Sequence, residues 1–184
     1  IRDVKQHDLR NRIGYIPQKA TLFSGTIESN LRYADENATD STIENALEVS
    51  QAKEFVSKMP SGIEEPISQG GTNVSGGQKQ RLSIARALVK NADIYIFDDT
   101  FSALDYHTDA LLREALNKMV KEKHSTVFIV AQRISSIMHA DKIIVLDQGK
   151  IVGNGTHAEL MKNCPVYQEI AYSQLSRKEL AVNE

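Results

Sequence analysis

Two groups of residues in this sequence could bind a phosphate-bearing ligand, and the first is an acidic pair. Asp98 and Asp99 directly follow an apolar run at residues 94–97, and such a run is typical of a parallel strand covered on both faces. Ligands bind beyond the carboxyl ends of parallel strands, where a carboxylate can hold Mg²⁺ beside phosphate groups. Taken alone, the pair fits equally well a strand end whose acids only cap the next turn.

The second group is the string Ser75-Gly76-Gly77-Gln78, which we predict to open a helix. Ser75 is a suitable N-cap, and two glycines allow a large anion to approach the backbone closely. The first-turn N–H groups and the helix dipole then favour phosphate. The alternative is a flexible loop before an ordinary helix. However, the string continues as Lys79-Gln80-Arg81. A match at six fixed positions of this longer string would arise by chance only about once in 10⁵ to 10⁶ chains of this size.

The order of the predicted elements indicates an α/β fold that would position both groups. The predicted strands are residues 12–17, 94–97, 126–130 and 142–146. From residue 94 onward strands alternate with helices, which predicts a parallel sheet with helical crossovers. The stretch at about 26–86 is mostly helix and loop, so we expect a helical subdomain inserted between strands. A hairpin turn is predicted at Gln148-Gly149, and a last helix at 165–180.

Composition argues against several classes of protein. The 184 residues suffice for one domain with a core, and a net charge of -2 without a basic block argues against binding nucleic acid by phosphate neutralisation. Cys164 is the only cysteine, which excludes an internal disulfide and a cysteine-rich metal site. No apolar run approaches the roughly 18 residues of a membrane span. Because the chain begins at Ile1, we expect a piece of a longer protein, with any membrane-embedded part outside it.

The string from Ser75 to Arg81 resembles the signature motif of ATP-binding cassette (ABC) proteins. Other segments resemble further motifs of that family, in the same order along the chain. They are Gln18 for the Q-loop, residues 23–31 for the segment that follows it in exporters, 94–98 for the Walker B strand, 102–105 for the D-loop and 155–160 for the exporter tail. The resemblance covers essentially the whole chain, which is therefore similar to the nucleotide-binding domain of an ABC exporter.

This resemblance implies an α/β fold of the P-loop NTPase type, with a parallel sheet flanked by helices and an inserted helical subdomain. All 184 residues would form the C-terminal part of one nucleotide-binding domain. The helical subdomain and signature would occupy about 26–86, and the Walker B strand, D-loop, switch region and C-terminal helices about 91–184. The P-loop pattern G-x-x-x-x-G-K-[ST] occurs nowhere in the sequence. We therefore expect the N-terminal strands and the P-loop to be absent, and the isolated chain to be inactive.

Two catalytic positions depart from the family pattern. Asp99 stands where Glu usually polarises the attacking water, and the shorter side chain would draw its carboxylate back by about 1 Å, which can cost ~10²-fold in rate. Gln132 stands where His is usual. It can donate a hydrogen bond to a γ-phosphate but cannot carry a proton or a positive charge. Together the two changes resemble the degenerate half of a heterodimeric exporter.

The family works as head-to-tail pairs of domains, so the resemblance implies a role for each site residue. Ser75, Gly76, Gly77 and Gln78 would contact ATP held mainly by a partner subunit. The chain's own site would comprise Gln18, Asp98 and Asp105 for ATP, with Gln18 and Asp98 also holding Mg²⁺, and Asp99 and Gln132 as catalytic residues. The implied ligands are therefore ATP and Mg²⁺.

The implied partners are a second nucleotide-binding domain, in a heterodimer or alternatively a homodimer, and a transmembrane permease domain. ATP binding and hydrolysis would then drive export of a drug, lipid or peptide from the cytoplasmic face of the cell membrane. Two alternatives stay open: an ABC ATPase that moves no solute, and a catalytically inactive cassette fragment that serves as an interaction module. The exporter-like segments at residues 23–27 and 155–160 argue against the first alternative.

Overall fold

The computed structural model describes residues 2–175 of the chain. The chain folds as two compact units, of which the first ends at Val130 and the second begins at Ala131. Within residues 2–175, no helix combines the length and the hydrophobicity that crossing a bilayer requires.

The first unit joins three parallel strands to a set of helices. Its elements are α1 (Gln6–Asn11), β1 (Ile13–Ile16), β2 (Gly25–Thr26), α2 (Ile27–Arg32), α3 (Asp40–Val49), α4 (Lys53–Ser57), β3 (Pro66–Ile67), α5 (Gly76–Val89), β4 (Ile94–Asp98), α6 (Tyr106–Lys123) and β5 (Thr126–Val130). The parallel sheet has the order β1-β4-β5, and β2 pairs with β3 in a separate short ribbon. The helices expected at about 26–86 thus lie between two strands that are neighbours in the sheet.

One face of the parallel sheet is buried and the other is partly exposed. Tyr95 and Phe97 of β4 are fully buried. Gly14 of β1 lies opposite Tyr95, and a Cβ at Gly14 would come within 2.7 Å of the Tyr95 ring. On the other face Phe128 and Val130 are 52% and 54% exposed. The run at 94–97 in β4 has no exposed residue and alternates between buried and half-buried side chains, so the prediction that it is covered on both faces holds only in part, whereas alternate side chains of β5 are exposed.

The second unit is an antiparallel hairpin followed by two helices. Its elements are β6 (Ile143–Asp147), β7 (Lys150–Gly155), α7 (His157–Asn163) and α8 (Pro165–Gln174). Gln148 and Gly149 have φ of 47° and 76°, so the predicted hairpin turn is confirmed. The expectation that residues 142–146 form a third strand of the parallel sheet is wrong for the described residues, because β6 pairs with β7 in a separate antiparallel sheet and lies outside the sheet β1-β4-β5. Residues 176–180 of the last predicted helix lie outside the described residues.

A buried histidine–tyrosine pair connects α7 to α8. His157 Nδ1 and the Tyr167 hydroxyl are 2.7 Å apart, and both residues are buried. Burial raises the pKa of Tyr167 to about 12. Burial, reinforced by the nearby His139, lowers the pKa of His157. The folded state therefore favours the neutral imidazole.

The stability of the protein is expected to fall as the pH drops, because of His157. An unfolded histidine has a pKa of about 6.5, so the folded protein binds fewer protons than the unfolded chain below that pH, and stability is lost as the pH falls through the lowered folded pKa. We expect His157→Gln to flatten the difference in free energy of unfolding between pH 7.5 and pH 5.5, measured by urea denaturation. The exposed His107, changed to Gln, is the control and should keep the wild-type pH dependence.

Candidate functional site

The turn that carries the two candidate carboxylates is tied to both neighbouring strands. Asp98 ends β4, and Asp99 has φ 43° and ψ 32°, in the left-handed region that Asp tolerates better than most residues. The Asp99 N–H donates to the carbonyl of Val130 at 2.9 Å. The buried Thr100 hydroxyl donates to the carbonyl of Ile16 at 3.2 Å. These bonds hold the carboxylates at the carboxyl ends of all three strands, the place where the sequence predicts a ligand site.

Two side chains from the end of β1 reach the carboxylates. The Tyr15 hydroxyl donates to Asp98 Oδ2 at 2.9 Å, and the Gln18 amide Nε2 donates to Asp99 Oδ2 at 3.0 Å. The hydrogen bond to Asp98 raises the pKa of the Tyr15 hydroxyl. Tyr15 therefore stays protonated and acts as a donor at neutral pH. The structure thus brings Gln18, Asp98 and Asp99 together, three of the predicted site residues.

This cluster presents oxygen atoms of the kind that bind Mg²⁺. The Asp98 carboxylate and the Gln18 side-chain carbonyl are hard donors, and Mg²⁺ is commonly bound through one or two carboxylates plus water and substrate phosphates. Within residues 2–175, no group of three or more His, Cys, Asp or Glu side chains could hold a metal ion. The Asp98 carboxylate and the Gln18 carbonyl fit Mg²⁺ that arrives with a nucleotide, as Mg·ATP.

The predicted phosphate-binding string forms the first turn of α5. Ser75 is the N-cap, as predicted, and its Oγ accepts from Gln78 N at 3.2 Å. The Gln78 side-chain oxygen accepts in return from Ser75 N at 2.9 Å, which completes a capping box. The first N–H groups of a helix have no partner inside it. The capping box provides acceptors for the backbone N–H groups of Ser75 and Gln78. The N–H groups of Gly76 and Gly77 therefore remain for a ligand.

The two glycines of this turn are not required by the fold of the described chain. A Cβ added at Gly76 would meet no described atom within 4 Å, and one at Gly77 would meet only the carbonyl oxygen of Ala103, at 3.8 Å. Neither residue has a positive φ. Since a helix is more stable with Ala than with Gly, the packing and backbone of the described residues give no reason for the two glycines.

Asp105 has a structural role in the described chain. It is the N-cap of α6, and its two carboxylate oxygens accept from the backbone N–H of Thr108 at 3.0 Å and from the Thr108 hydroxyl at 2.7 Å. These bonds lower the pKa of Asp105. The role in ATP binding that the family resemblance implies for Asp105 stays a prediction.

Gln132 belongs to the second unit, unlike the other predicted site residues. Its backbone carbonyl accepts from the Gln174 side-chain amide at 2.8 Å, and the other end of the Gln174 amide accepts from Ile134 N at 2.9 Å. Gln174 of α8 therefore fixes the backbone around Gln132. A catalytic role for the Gln132 side chain stays a prediction.

Sequence reasoning missed Tyr15, which contacts a candidate ligand carboxylate. A tyrosine in a short apolar strand has no local pattern that indicates a polar partner. Only the pairing of β1 with β4 indicates this contact. In that pairing Tyr15 lies opposite Ile96, and Asp98, two residues further along β4, points to the same face of the sheet.

Comparison with known proteins identifies the family. The family model described as ABC transporter matches residues 1–102. An ABC transporter ATP-binding protein of Mycobacterium bovis is 46% identical over 177 residues, which are 95% of this chain and 30% of the relative. One of Bacillus subtilis is 42% identical over 178 residues, 97% of this chain and 30% of the relative. The solved structure of a bacterial Atm1-family ABC exporter with ATP bound matches with a TM-score of 0.90 and 33% identity, over 96% of this chain and 31% of that one.

The chain therefore belongs to the ABC transporter family, and its fold is that of an ABC nucleotide-binding domain. It spans about a third of the length of the relatives that it matches. The predicted family and fold class are thus confirmed.

Proposed function

We propose that this chain is the ATP-binding part of an ABC exporter, in which ATP binding and hydrolysis drive a drug, lipid or peptide across a membrane. The chain would give its signature turn, Ser75-Gly76-Gly77-Gln78, to ATP held by a second nucleotide-binding domain. It would also contribute Gln18, Asp98 and Asp99 to an ATP site of its own. The likeness to a solved exporter, rather than sequence motifs alone, supports transport over the non-transport alternative.

The first turn of α5 is the observation that carries this proposal. Its capping box leaves the N–H groups of Gly76 and Gly77 for an anion, and the positive end of the helix dipole adds to their attraction. Ser75 and Gly76 are exposed. Because the turn is open and its glycines have no internal purpose, it suits a phosphate group that is delivered by another molecule, as in a head-to-tail pair.

The chain's own site would hold Mg·ATP through Gln18 and Asp98. The Mg²⁺ supplied with the nucleotide neutralises charge on the phosphate oxygens. Asp99 would orient the attacking water with its carboxylate, which Gln18 already holds by one hydrogen bond. Gln132 would donate its amide to the γ-phosphate.

Hydrolysis at this site is proposed to be slow. The Asp99 side chain is one methylene shorter than the usual Glu, and the amide of Gln132 cannot take up or release a proton. The site would then bind ATP and help to close the pair, while most turnover takes place at the partner's site. This division of labour favours a heterodimer, with a homodimer as the alternative.

A surface that follows Gln18 is assigned in this proposal to the transmembrane permease domain. Phe23 and Tyr33 are 45% and 70% exposed, with ring centroids 4.8 Å apart. The Asn30 side chain holds the Phe23 backbone by accepting from its N–H at 2.8 Å and donating to its carbonyl at 2.9 Å. Arg86 lies over the Phe23 ring, 5.3 Å from its centroid. Aromatic and arginine side chains on a rigid segment suit a protein–protein contact.

When ATP closes the paired domains, the surface around Phe23 and Tyr33 would transmit the movement to the permease domain. That domain would then alternate between inward-facing and outward-facing states. Gln18 is suited to transmit this movement, because it contacts Asp99 in the site and begins the segment that leads to Phe23. The chain would work at the cytoplasmic face of the cell membrane.

ATP-dependent protection of Ala103→Cys in the assembled transporter tests this proposal. Ala103 is exposed beside Gly77, so closure on ATP is expected to bury a cysteine placed there. We expect maleimide labelling of the peptide with residue 103, followed by mass spectrometry, to slow about tenfold with ATP if the closed state is populated about 90% of the time.

The exposed Ser41 on α3, changed to Cys, is the control and should label equally with and without ATP. Cys164 is buried and should contribute little background. Equal labelling of Ala103→Cys in both conditions would contradict closure at the signature turn.

A further inference from the structure

The Asp98 carboxylate is hydrogen-bonded by Tyr15 at one oxygen, Oδ2. The register of the sheet produces this contact. Tyr15 is paired with Ile96, so its side chain and that of Asp98, two residues further along β4, stand on the same face. Because both strands belong to one parallel sheet, the backbone that holds the two groups is well fixed.

We propose that Tyr15 is a positioning residue that limits Asp98 to one oxygen as a cation ligand and so favours Mg²⁺ over Ca²⁺ in the chain's own nucleotide site. This inference rests on the proposed function, because it takes Asp98 as the carboxylate that holds the cation of Mg·ATP. Tyr15 itself touches neither cation nor nucleotide in this role and acts only through Asp98.

The coordination chemistry of the two cations explains the selectivity. Mg²⁺ requires near-ideal octahedral geometry with short bonds, whereas Ca²⁺ accepts six to eight oxygens and binds carboxylates through one or both oxygens. With Oδ2 engaged by the phenol, Asp98 presents Oδ1, which is enough for Mg²⁺ or for one of its waters. Ca²⁺ that binds both oxygens must share Oδ2 with the phenol hydroxyl, which weakens that contact.

The hydrogen bond also sets the direction in which Asp98 presents Oδ1. The Tyr15 side chain is 54% exposed, but its backbone is fixed by the pairing of β1 with β4, and Thr100, two residues after Asp98, donates to the carbonyl of Ile16 in β1. Removal of the phenol oxygen would free the carboxylate to rotate and to bind through both oxygens. Ca²⁺ would gain from that freedom and Mg²⁺ would not.

Tyr15→Phe in the assembled transporter tests the inference, because Phe keeps the ring and loses only the hydroxyl. Mn²⁺ bound together with an imido analogue of ATP is measured by electron paramagnetic resonance and then displaced by Mg²⁺ or Ca²⁺. We expect the preference for Mg²⁺ over Ca²⁺ to fall about tenfold, the effect of one lost hydrogen bond to a charged group. This readout is a binding ratio and does not depend on hydrolysis.

Tyr95→Phe is the matched control. It removes a hydroxyl from the neighbouring strand and from the opposite face of the sheet, where that oxygen accepts from Ala92 N at 3.0 Å. Tyr95→Phe should lower stability and leave the cation preference unchanged.

Asp98→Asn identifies the part of the Mn²⁺ signal that belongs to this site. If Asp98→Asn removes that part while Tyr15→Phe keeps the wild-type preference, the role of Tyr15 is wrong and the proposed function stands. If Asp98→Asn leaves Mn²⁺ binding unchanged, Asp98 is not the cation ligand and the role of Tyr15 is wrong with it, whereas the part of the proposed function that the signature turn carries is tested separately by Ala103→Cys.

Discussion

Gly77→Asp is expected to leave the protein folded and to abolish most ATP turnover of the assembled transporter. A Cβ fits at Gly77 because the nearest described atom is 3.8 Å away, and an acidic residue in the first turn of a helix is favoured by about 0.3–1 kcal/mol. The same carboxylate would repel the phosphate groups that the turn is proposed to bind. We expect turnover to fall by at least about 10²-fold, the cost of a misplaced reacting group.

Steady-state ATPase activity and thermal unfolding, measured on the same preparations, check this prediction. Ser41→Asp is the matched control, because Ser41 occupies the second helical position of α3 just as Gly77 occupies that of α5. The control should change both stability and activity little. Gly77→Ala is expected to raise stability by about 0.5–1 kcal/mol. Full activity of Gly77→Asp would show that the turn binds no phosphate.

Restoring the usual family residues in the chain's own site, with Asp99→Glu and Gln132→His together, is expected to raise hydrolysis there. The added methylene would advance the carboxylate by about 1 Å, and a histidine can carry a proton, so the gain could reach about 10²-fold. Single-turnover hydrolysis in an assembly whose partner site is inactivated measures this site alone.

Asp99→Ala is the companion to that experiment, and total turnover should change little in the otherwise wild-type assembly. For the Asp99→Glu change, Asp93→Glu is the control, because it adds the same methylene to a residue just before β4. Asp93→Glu should leave hydrolysis unchanged. Loss of nearly all turnover in Asp99→Ala would disprove the degenerate-site hypothesis, and the chain would then hold a fully active site.

These two experiments separate the proposed function from its alternatives. An interaction module without catalytic contribution would tolerate Gly77→Asp, whereas an ABC ATPase of any kind would not. If Gly77→Asp abolishes ATP turnover and Asp99→Ala does not, the chain completes its partner's ATP site and has a weak site of its own. Transport itself is tested by whether solute movement is lost together with turnover in Gly77→Asp.

The sequence was sufficient for features that depend on short-range chemistry. A capping box joins positions three residues apart, so Ser75 and Gln78 already indicated the N-terminus of α5. The acidic pair was likewise recognisable, because Asp98 and Asp99 follow an apolar strand, and ligands bind beyond the carboxyl ends of parallel strands. The turn at Gln148-Gly149 was predictable for the same reason, since two residues determine it.

The tertiary structure decided which distant residues meet. The pairing of β1 with β4 brings Tyr15 and Gln18 to carboxylates about 80 positions away, and strand register depends on the packing of whole faces rather than on any local pattern. The hairpin of β6 and β7 was predictable from its turn, but the membership of the parallel sheet was not, because among the described residues β6 pairs with β7 and lies outside the sheet β1-β4-β5. The sequence thus determined the chemical groups of the site, and only the sheet determined that a tyrosine hydroxyl holds one of them.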